Sequence, residues 1–496
     1  MTKHITFICL LPIVIFASAA KLSAAEADLT EQMKHSIVYL KTSFYGYQQA
    51  QPWKHKDLTE NWAVGCAVGT NLVITPAWNV ADLAFIKALR YGHDEFVSAA
   101  VKLVDYESNL CLIELDPRSL PEPLKPLKFS PNFDKGAPLT FYWLSEGNHL
   151  FSGRAYLDRA RVEQTNISFE RRLHYVVANT SARTGVGQLY CSGKKSIGIA
   201  CWSNEDKEAG VIPGEVINSF LAQAKTNPYK GFGTVGFKTS PLLDPTMRSF
   251  LKMPVELKTG VYVAEVYTIG TASDVLKRGD VILSIDGHVL NAYGRFLHQK
   301  YDRIFFHYLI TNKTVGEEIR FEIWRDGQKQ TLRTHVKNFK ASDMLVPYYE
   351  YDLQPEYIVT GGYVLQTLTR PYLAQWGDGW EGQVEPHLFH YFRDLAFKPT
   401  DLRTDIVILS YVLPANINLG YADLNQLVVK KFNGMDVRCI ADVLTAQKLN
   451  PHSKYDVIEF ELDNPPVVIP RDQLALADQL ISQNYGVPSL TNVRQP

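Results

Sequence analysis

The chain has 496 residues, 46% of them hydrophobic and 21% charged, which is the composition of an ordinary folded protein. That length is too great for one core and predicts about three domains, on a prior of roughly one per 150 residues. A net charge of -1 supplies no field for a polyanion, so nucleic acid is excluded as an expected partner.

At the N-terminus, Met1-Thr2-Lys3-His4 precede an apolar run from Ile5 to Ala17 and then small residues, including Ala17-Ser18-Ala19 and Ser23-Ala24-Ala25. This pattern reads as a secretory signal over residues 1–25, cleaved after Ala19 or Ala25, and predicts a periplasmic or secreted mature chain. No later segment reaches the roughly 18 apolar residues that a membrane helix needs, so no span is expected after signal cleavage. Loss of Cys9 with the signal leaves Cys66, Cys111, Cys191, Cys201 and Cys439 at irregular spacing. Most of these are expected to be buried free thiols.

Residues 30–222 show short β-rich runs broken by Gly, Pro and Asn. Gly65-Cys66-Ala67-Val68-Gly69 is followed by Leu72-Val73-Ile74-Thr75-Pro76-Ala77-Trp78-Asn79-Val80. Further on come Asp105-Tyr106-Glu107-Ser108-Asn109-Leu110-Cys111-Leu112-Ile113, then Arg183-Thr184-Gly185-Val186-Gly187-Gln188-Leu189 and a returning Ser196-Ile197-Gly198-Ile199-Ala200. His93 falls in a surface turn between two strands. Cys191-Ser192-Gly193-Lys194-Lys195 reads as a hairpin turn whose register pairs Cys191 with Ser196 rather than Cys201. A helix is expected from Gly214 to Ala224, and a linker at Lys225-Thr226-Asn227-Pro228.

Beyond the linker comes Thr234-Val235-Gly236-Phe237, whose glycine allows close approach to the backbone. Gly260 to Val266 alternates as a strand, and Leu276 to Gly287 ends in the turn Asp286-Gly287. Arg303 to Asn312 reads as a helix with Ile304 and Tyr308 one turn apart on one face. A weaker copy follows: Asp405 to Val412 parallels the 260–266 strand, and Leu427 to Gly434 parallels the strand and turn ending at Gly287. Glu385, His387 and His390 lie close together, but Pro386 interrupts them. There is no Cys-x-x-Cys or His-Glu-x-x-His, so neither a metal nor a cofactor is expected.

The motifs of residues 65–80, 105–113 and 183–200 resemble the strands of trypsin-like proteases of the HtrA (Deg) family. In that resemblance Trp78 stands where the family has histidine, Asn109 where it has the triad aspartate, and Gly185 where it has the nucleophilic serine. The stretch from Gly231 resembles an HtrA-type PDZ domain, and Pro355 to Gly362 with Val412 to Tyr421 resembles the second PDZ-like domain of plant Deg proteases. The resemblance implies a mainly β fold. A trypsin-like double β-barrel at 30–222 would be followed by two PDZ-like α+β domains, the first at 229–340 and a degenerate second at 341–490. It further implies a carboxylate-binding loop at Thr234, Val235, Gly236 and Phe237, a groove flanked by Ile304 and Tyr308, and a homo-oligomer, trimeric or hexameric.

Each of the three replacements removes a chemical role. Glycine has no nucleophile, an indole N–H donates but cannot accept a proton, and a neutral amide cannot stabilise an imidazolium. The expectation is therefore an exported pseudoprotease that binds peptide C-termini or unfolded proteins as chaperone, adaptor or regulator. One rival is an active serine-type endopeptidase with a displaced nucleophile, for which Cys191 and Ser192 lie nearest in sequence. Another is a purely structural assembly protein without a peptide ligand.

Overall fold

The computed structural model describes residues 28–132, 136–165, 167–180 and 185–494. The signal expected over 1–25 lies outside them.

Alternating apolar residues and tight turns close two six-stranded barrels. The first contains β1 (Ile37–Phe44), β2 (Thr59–Ala67), β3 (Leu72–Thr75), β4 (Leu83–Arg90), β5 (Val97–Asp105) and β6 (Leu110–Leu115), in the order β1-β2-β3-β6-β5-β4. The second contains β7 (Leu139–Leu144), β8 (Leu150–Gln164), β9 (Arg171–Asn179), β10 (Leu189–Ser192), β11 (Lys195–Ser203) and β12 (Glu208–Pro213), in the order β10-β11-β12-β9-β8-β7. Val38, Leu40, Val73, Ile86 and Ile113 help fill the first barrel. A separate cluster, including Ile37, Ile74, Leu112, Leu189, Ile199 and Ile212, seals one barrel to the other. The helix Gly214–Gln223 buries Val216, Ile217 and Phe220 on that seam. The hairpin between β10 and β11 pairs Cys191 with Ser196.

The chain then builds two sheets of one design. The first follows β13 (Phe237–Ser240), β14 (Val261–Val266), β15 (Val281–Ile285), β19 (Glu318–Arg325) and β20 (Gln328–His335), in the order β13-β14-β15-β19-β20. Between β15 and β19 lie β16 (His288–Val289) and a separate hairpin of β17 (Arg295–His298) and β18 (Asp302–Phe305). The second sheet contains β21 (Tyr357–Thr360), β22 (Tyr363–Thr367), β23 (Val407–Val412), β24 (Leu427–Phe432), β25 (Met435–Asp436), β26 (Tyr455–Phe460), β27 (Val467–Pro470) and β28 (Thr491–Asn492). Its path β22-β23-β24-β26-β27 repeats the first sheet strand for strand, and β21 and β28 extend it beyond β22. Equivalent turns share one chemistry. Asp286-Gly287 and Asn433-Gly434 each hold two consecutive positive φ angles, 47° and 82° in one and 50° and 80° in the other, as a two-residue hairpin turn of type I′ demands.

The helix expected from Arg303 to Asn312 does not form. Residues 302–305 are β18, paired with β17, and only Tyr308–Thr311 is helical. Ile304, Phe305 and Phe306 are β-branched and aromatic residues that suit a pleated surface, and Asp302 turns the hairpin with φ 57°. A short apolar run cannot distinguish the two periods by itself. Ile304 is consequently buried in the core, while the Tyr308 ring packs edge-on to His298 and Tyr301.

The second barrel has no slack where β11 crosses β12. A Cβ on Gly198 would lie 2.2 Å from the Ile212 carbonyl oxygen and 2.6 Å from Val211 Cγ1. Gly198→Ala is expected to lower the unfolding free energy by on the order of 3 kcal/mol, since backbone must move to admit the methyl. Urea unfolding followed by tryptophan fluorescence measures it.

Candidate functional site

The cleft side of the first barrel is organised by Asn109. It is buried, precedes β6 and takes φ 54°. Its Oδ1 accepts the Trp78 backbone N–H at 3.1 Å, and its carbonyl accepts the Ala77 N–H at 3.1 Å. One residue further, Asn79 Nδ2 donates to Thr75 Oγ1 at 2.9 Å, and that hydroxyl donates to the Val64 carbonyl at 2.9 Å. Trp78 and Asn109 are thus joined directly, and the turn carrying the indole is pinned to β2.

The Trp78 side chain is 48% exposed. It borders a cavity of about 410 Å³ with Phe44, Asn61, Asp82 and Tyr351 among its walls. Gly185 arrives from the second barrel, two residues before Gly187, whose φ is 87° and whose added Cβ would meet the Val64 carbonyl oxygen at 2.1 Å. A Cβ on Gly185 itself would meet only Gln188 Nε2, at 3.7 Å, so the position has room for a side chain. Residues 181–184, which include Ala182, Arg183 and Thr184, lie outside the described residues.

The neighbouring thiols are chemically quiet. Cys66, Cys111, Cys191 and Cys201 are buried, and burial pushes the Cys191 thiol up to about 12 despite the Ser196 hydroxyl 3.9 Å away. A thiol so raised holds almost no thiolate at neutral pH. Glu385, His387 and His390 do not converge either: His387 Nε2 meets the Gln426 carbonyl at 2.9 Å, and His390 Nδ1 meets Asp394 at 2.8 Å. Among the described residues no group of three His, Cys, Asp or Glu side chains is placed to hold a metal ion.

The four residues of the PDZ loop occupy the base of the first sheet. Thr234 N–H donates to the Lys337 carbonyl at 2.9 Å, and Phe237 opens β13 with its ring stacked on Phe306 at 5.4 Å. Gly236 has φ 83°, and a Cβ there would stand 2.9 Å from the Ile269 carbonyl oxygen, so this glycine admits a neighbouring turn of the same domain. The Val235 N–H donates to Glu170 Oε1 at 2.7 Å. β13 carries no strand on its outer edge among the described residues.

Glu170 belongs to a junction that the sequence motifs did not single out. Arg172, two residues further on in the second barrel, donates from Nε to the Glu107 carbonyl at 2.5 Å and from Nη1 to the Thr311 carbonyl at 2.6 Å. Ser168 and Tyr349 donate to the Glu107 carboxylate at 2.6 and 2.8 Å. Burial pushes Glu170 up to about 7, against the pull of the Val235 amide and the Arg172 guanidinium and with a further push from Glu107. The run Glu170-Arg171-Arg172 before an apolar strand was the available signal, since three charges leading into a buried β-strand need partners.

Two closed six-stranded barrels followed by two PDZ domains make a trypsin-like double-barrel architecture with a PDZ tandem. Residues 248–336 and 346–492 each match a family model described as PDZ domain. Over 450 residues the chain is 28% identical to Protease Do-like 2, chloroplastic, of Arabidopsis thaliana, covering 88% of this chain and 71% of that protein. It is 25% identical over 463 residues to Protease Do-like 4, mitochondrial, of the same plant, covering 92% and 84%. Among solved structures, the HtrA-type protease AlgW with decapeptide aligns at 17% identity and a TM-score of 0.47, covering 63% of this chain and 98% of that one. The chain is thus similar to the Do-like proteases along most of its length and matches PDZ domain models over two separate segments. Among the described residues no helix is long and apolar enough to cross a membrane.

The Glu170 carboxyl fixes the sign of a pH effect. Its folded value, about 7, lies above the ordinary 4.5. Its contribution to stability is therefore fully present below 4.5 and lost as pH rises through 7. Arg172, Glu107 and the Tyr267 phenol are the titratable groups that face it. Relative to Glu170→Gln, the wild-type chain is expected to lose on the order of 3 kcal/mol between pH 4.5 and pH 8. Urea unfolding of both proteins across that range measures the difference.

Proposed function

We propose that this chain binds extended peptides or unfolded chains through its first PDZ domain and does not cut them. The observation that carries the reading is the hydrogen bond from the Trp78 amide to Asn109, which brings together an indole and a neutral amide at the two positions where the family resemblance has histidine and aspartate. An indole cannot take a proton from a nucleophile, and Asn109 cannot stabilise an imidazolium. Gly185, at the nucleophile's place in the family resemblance, has no attacking atom. Because triad members act as a unit, loss of the nucleophile or base alone costs about a millionfold in turnover, and further losses add little.

Recognition needs less. Strand addition requires an unpaired sheet edge with pockets for alternate side chains, and β13 offers that edge. The apolar run from Ile5 to Ala17 supports export of the chain, and the family resemblance supports assembly into trimers or hexamers. Holdase, adaptor and regulator of an active relative are the roles this reading admits.

The test uses purified chain and unfolded casein, with and without a serine-directed phosphonate. No cleavage above the buffer blank is expected. The double variant Gly185→Ser with Asn109→Asp is expected to stay inactive, because Trp78 still supplies no base. Robust cleavage by the wild-type chain would overturn the reading, and activity in the double variant would reveal a base other than the residue at 78. Casein captured without being cut, measured by suppression of its aggregation, is the positive outcome.

A further inference from the structure

Two PDZ domains of one design are stopped in two different ways, and the comparison bears on what the first can bind. In the second domain, Gly361 stands two residues before Tyr363, the aromatic that opens β22. In the first, Val235 stands two residues before Phe237, the aromatic that opens β13. The amides at these equivalent positions both donate to an internal carboxylate at 2.7 Å: Gly361 to Asp478 Oδ1 and Val235 to Glu170 Oε1. Asp478 lies on the second domain's own helix Arg471–Tyr485, whereas Glu170 comes from the second barrel.

The strand edges differ. Beside β22 runs β21, antiparallel, with Tyr357 opposite Gln366 and Thr360 opposite Tyr363, in the place an added peptide strand would take. The second domain is therefore filled at both its carboxylate position and its strand position by its own chain. The first domain is filled at the carboxylate position alone, and β13 keeps its edge among the described residues.

The contact to Glu170 is built rather than incidental. Its own N–H donates to Ser168 Oγ at 3.0 Å, and that hydroxyl donates to Glu107 at 2.6 Å. Phe169 stacks on Phe339 of the first PDZ domain at 4.9 Å. Thr311 Oγ1 donates to the Arg171 carbonyl at 3.1 Å, and Arg172 donates to the Thr311 carbonyl at 2.6 Å. Residues on both sides of Glu170 are thus fastened to the domain whose loop it caps.

We infer that Glu170 stands in for an incoming α-carboxylate, so that the first PDZ domain takes internal extended segments of unfolded chains in preference to free C-termini. A segment added along β13 needs no terminal carboxylate and leaves the Glu170 contact intact. A chain terminus must displace Glu170 from Val235, and with it the contacts that hold residues 168–172 to the domain. The inference deepens the proposed peptide-binding function and rests on it.

The test measures fluorescence anisotropy of labelled decapeptides ending in valine, leucine or phenylalanine, each made as the free acid and as the C-terminal amide. Wild-type chain is expected to bind acid and amide forms within about twofold of each other. Glu170→Ala is expected to favour the acid form by tenfold or more, with amide binding unchanged, and Glu170→Gln is expected to fall between. Hydrogen exchange over residues 233–237 keeps the test open should Glu170→Ala fold poorly. In wild-type chain these amides should stay protected when the amidated peptides bind. A wild-type preference of tenfold for the acid form, or the same acid-to-amide ratio in all variants, overturns the inference while leaving peptide binding intact. Absence of binding by every variant to either form overturns peptide binding itself, and this inference with it.

Discussion

Arg172 sits where three bodies meet, and its guanidinium leaves little freedom to any of them. It starts on β9 of the second barrel, donates to the Glu107 carbonyl of the first barrel, and donates again to the Thr311 carbonyl of the first PDZ domain. A buried cation of this kind is costly to strip of partners, so each carbonyl it holds is held at a defined place. Its face also lies over the Phe232 ring, 5.1 Å from the centroid, which adds an attraction from the linker side. The position of Glu170 follows from that anchor. Two residues away on the same chain, it has little choice but to face the loop at Val235.

The junction also ties down the segment that holds Trp78. Glu107 is one turn of chain from Asn109, the residue that pins the turn carrying Trp78, and Tyr349 from the start of the second PDZ region donates to the Glu107 carboxylate. The backbone geometry around Trp78 and Asn109 is thus part of the interdomain packing. Selection for assembly or recognition would preserve it whether or not hydrolysis is retained, because removing the fold of residues 105–109 would loosen all three bodies together.

What the sequence made legible was local in character. The type I′ turns at Asp286-Gly287 and Asn433-Gly434, the Cys191 to Ser196 register and the helix beginning at Gly214 all follow from neighbours within a few residues. The double barrel and the two PDZ sheets were expected from the motifs that resemble the HtrA family, since short β-rich runs broken by glycine show strands but not how they close. Arg303 to Asn312 misled because Ile304 and Tyr308 have helical spacing, while the pairing of β18 with β17 and the stacking of Phe306 on Phe237 decided otherwise. Glu170 announced, with Arg171 and Arg172, a need for buried partners but not their identity. Its partner lies 65 residues away in another domain, and nothing in the composition of either segment names the other.

The two PDZ domains show how one architecture acquires opposite accessibilities. In the second, β21 is joined to β22 by the short turn at Gly361 and Gly362, so the added strand is always present at an effective concentration that a separate peptide cannot match. β28 then pairs with β21 and removes the new edge as well, leaving that side of the sheet a packing surface. In the first domain the chain before β13 runs instead through Gly231 to Thr234 and is tied to Thr314 and Lys337 on the far side of the sheet. Among the described residues no strand pairs with the β13 edge from there, and the Val235 amide is met by a side-chain carboxylate from another domain. On the proposed reading, strand addition uses the β13 edge, and its selectivity depends on how firmly the second barrel holds Glu170 against Val235.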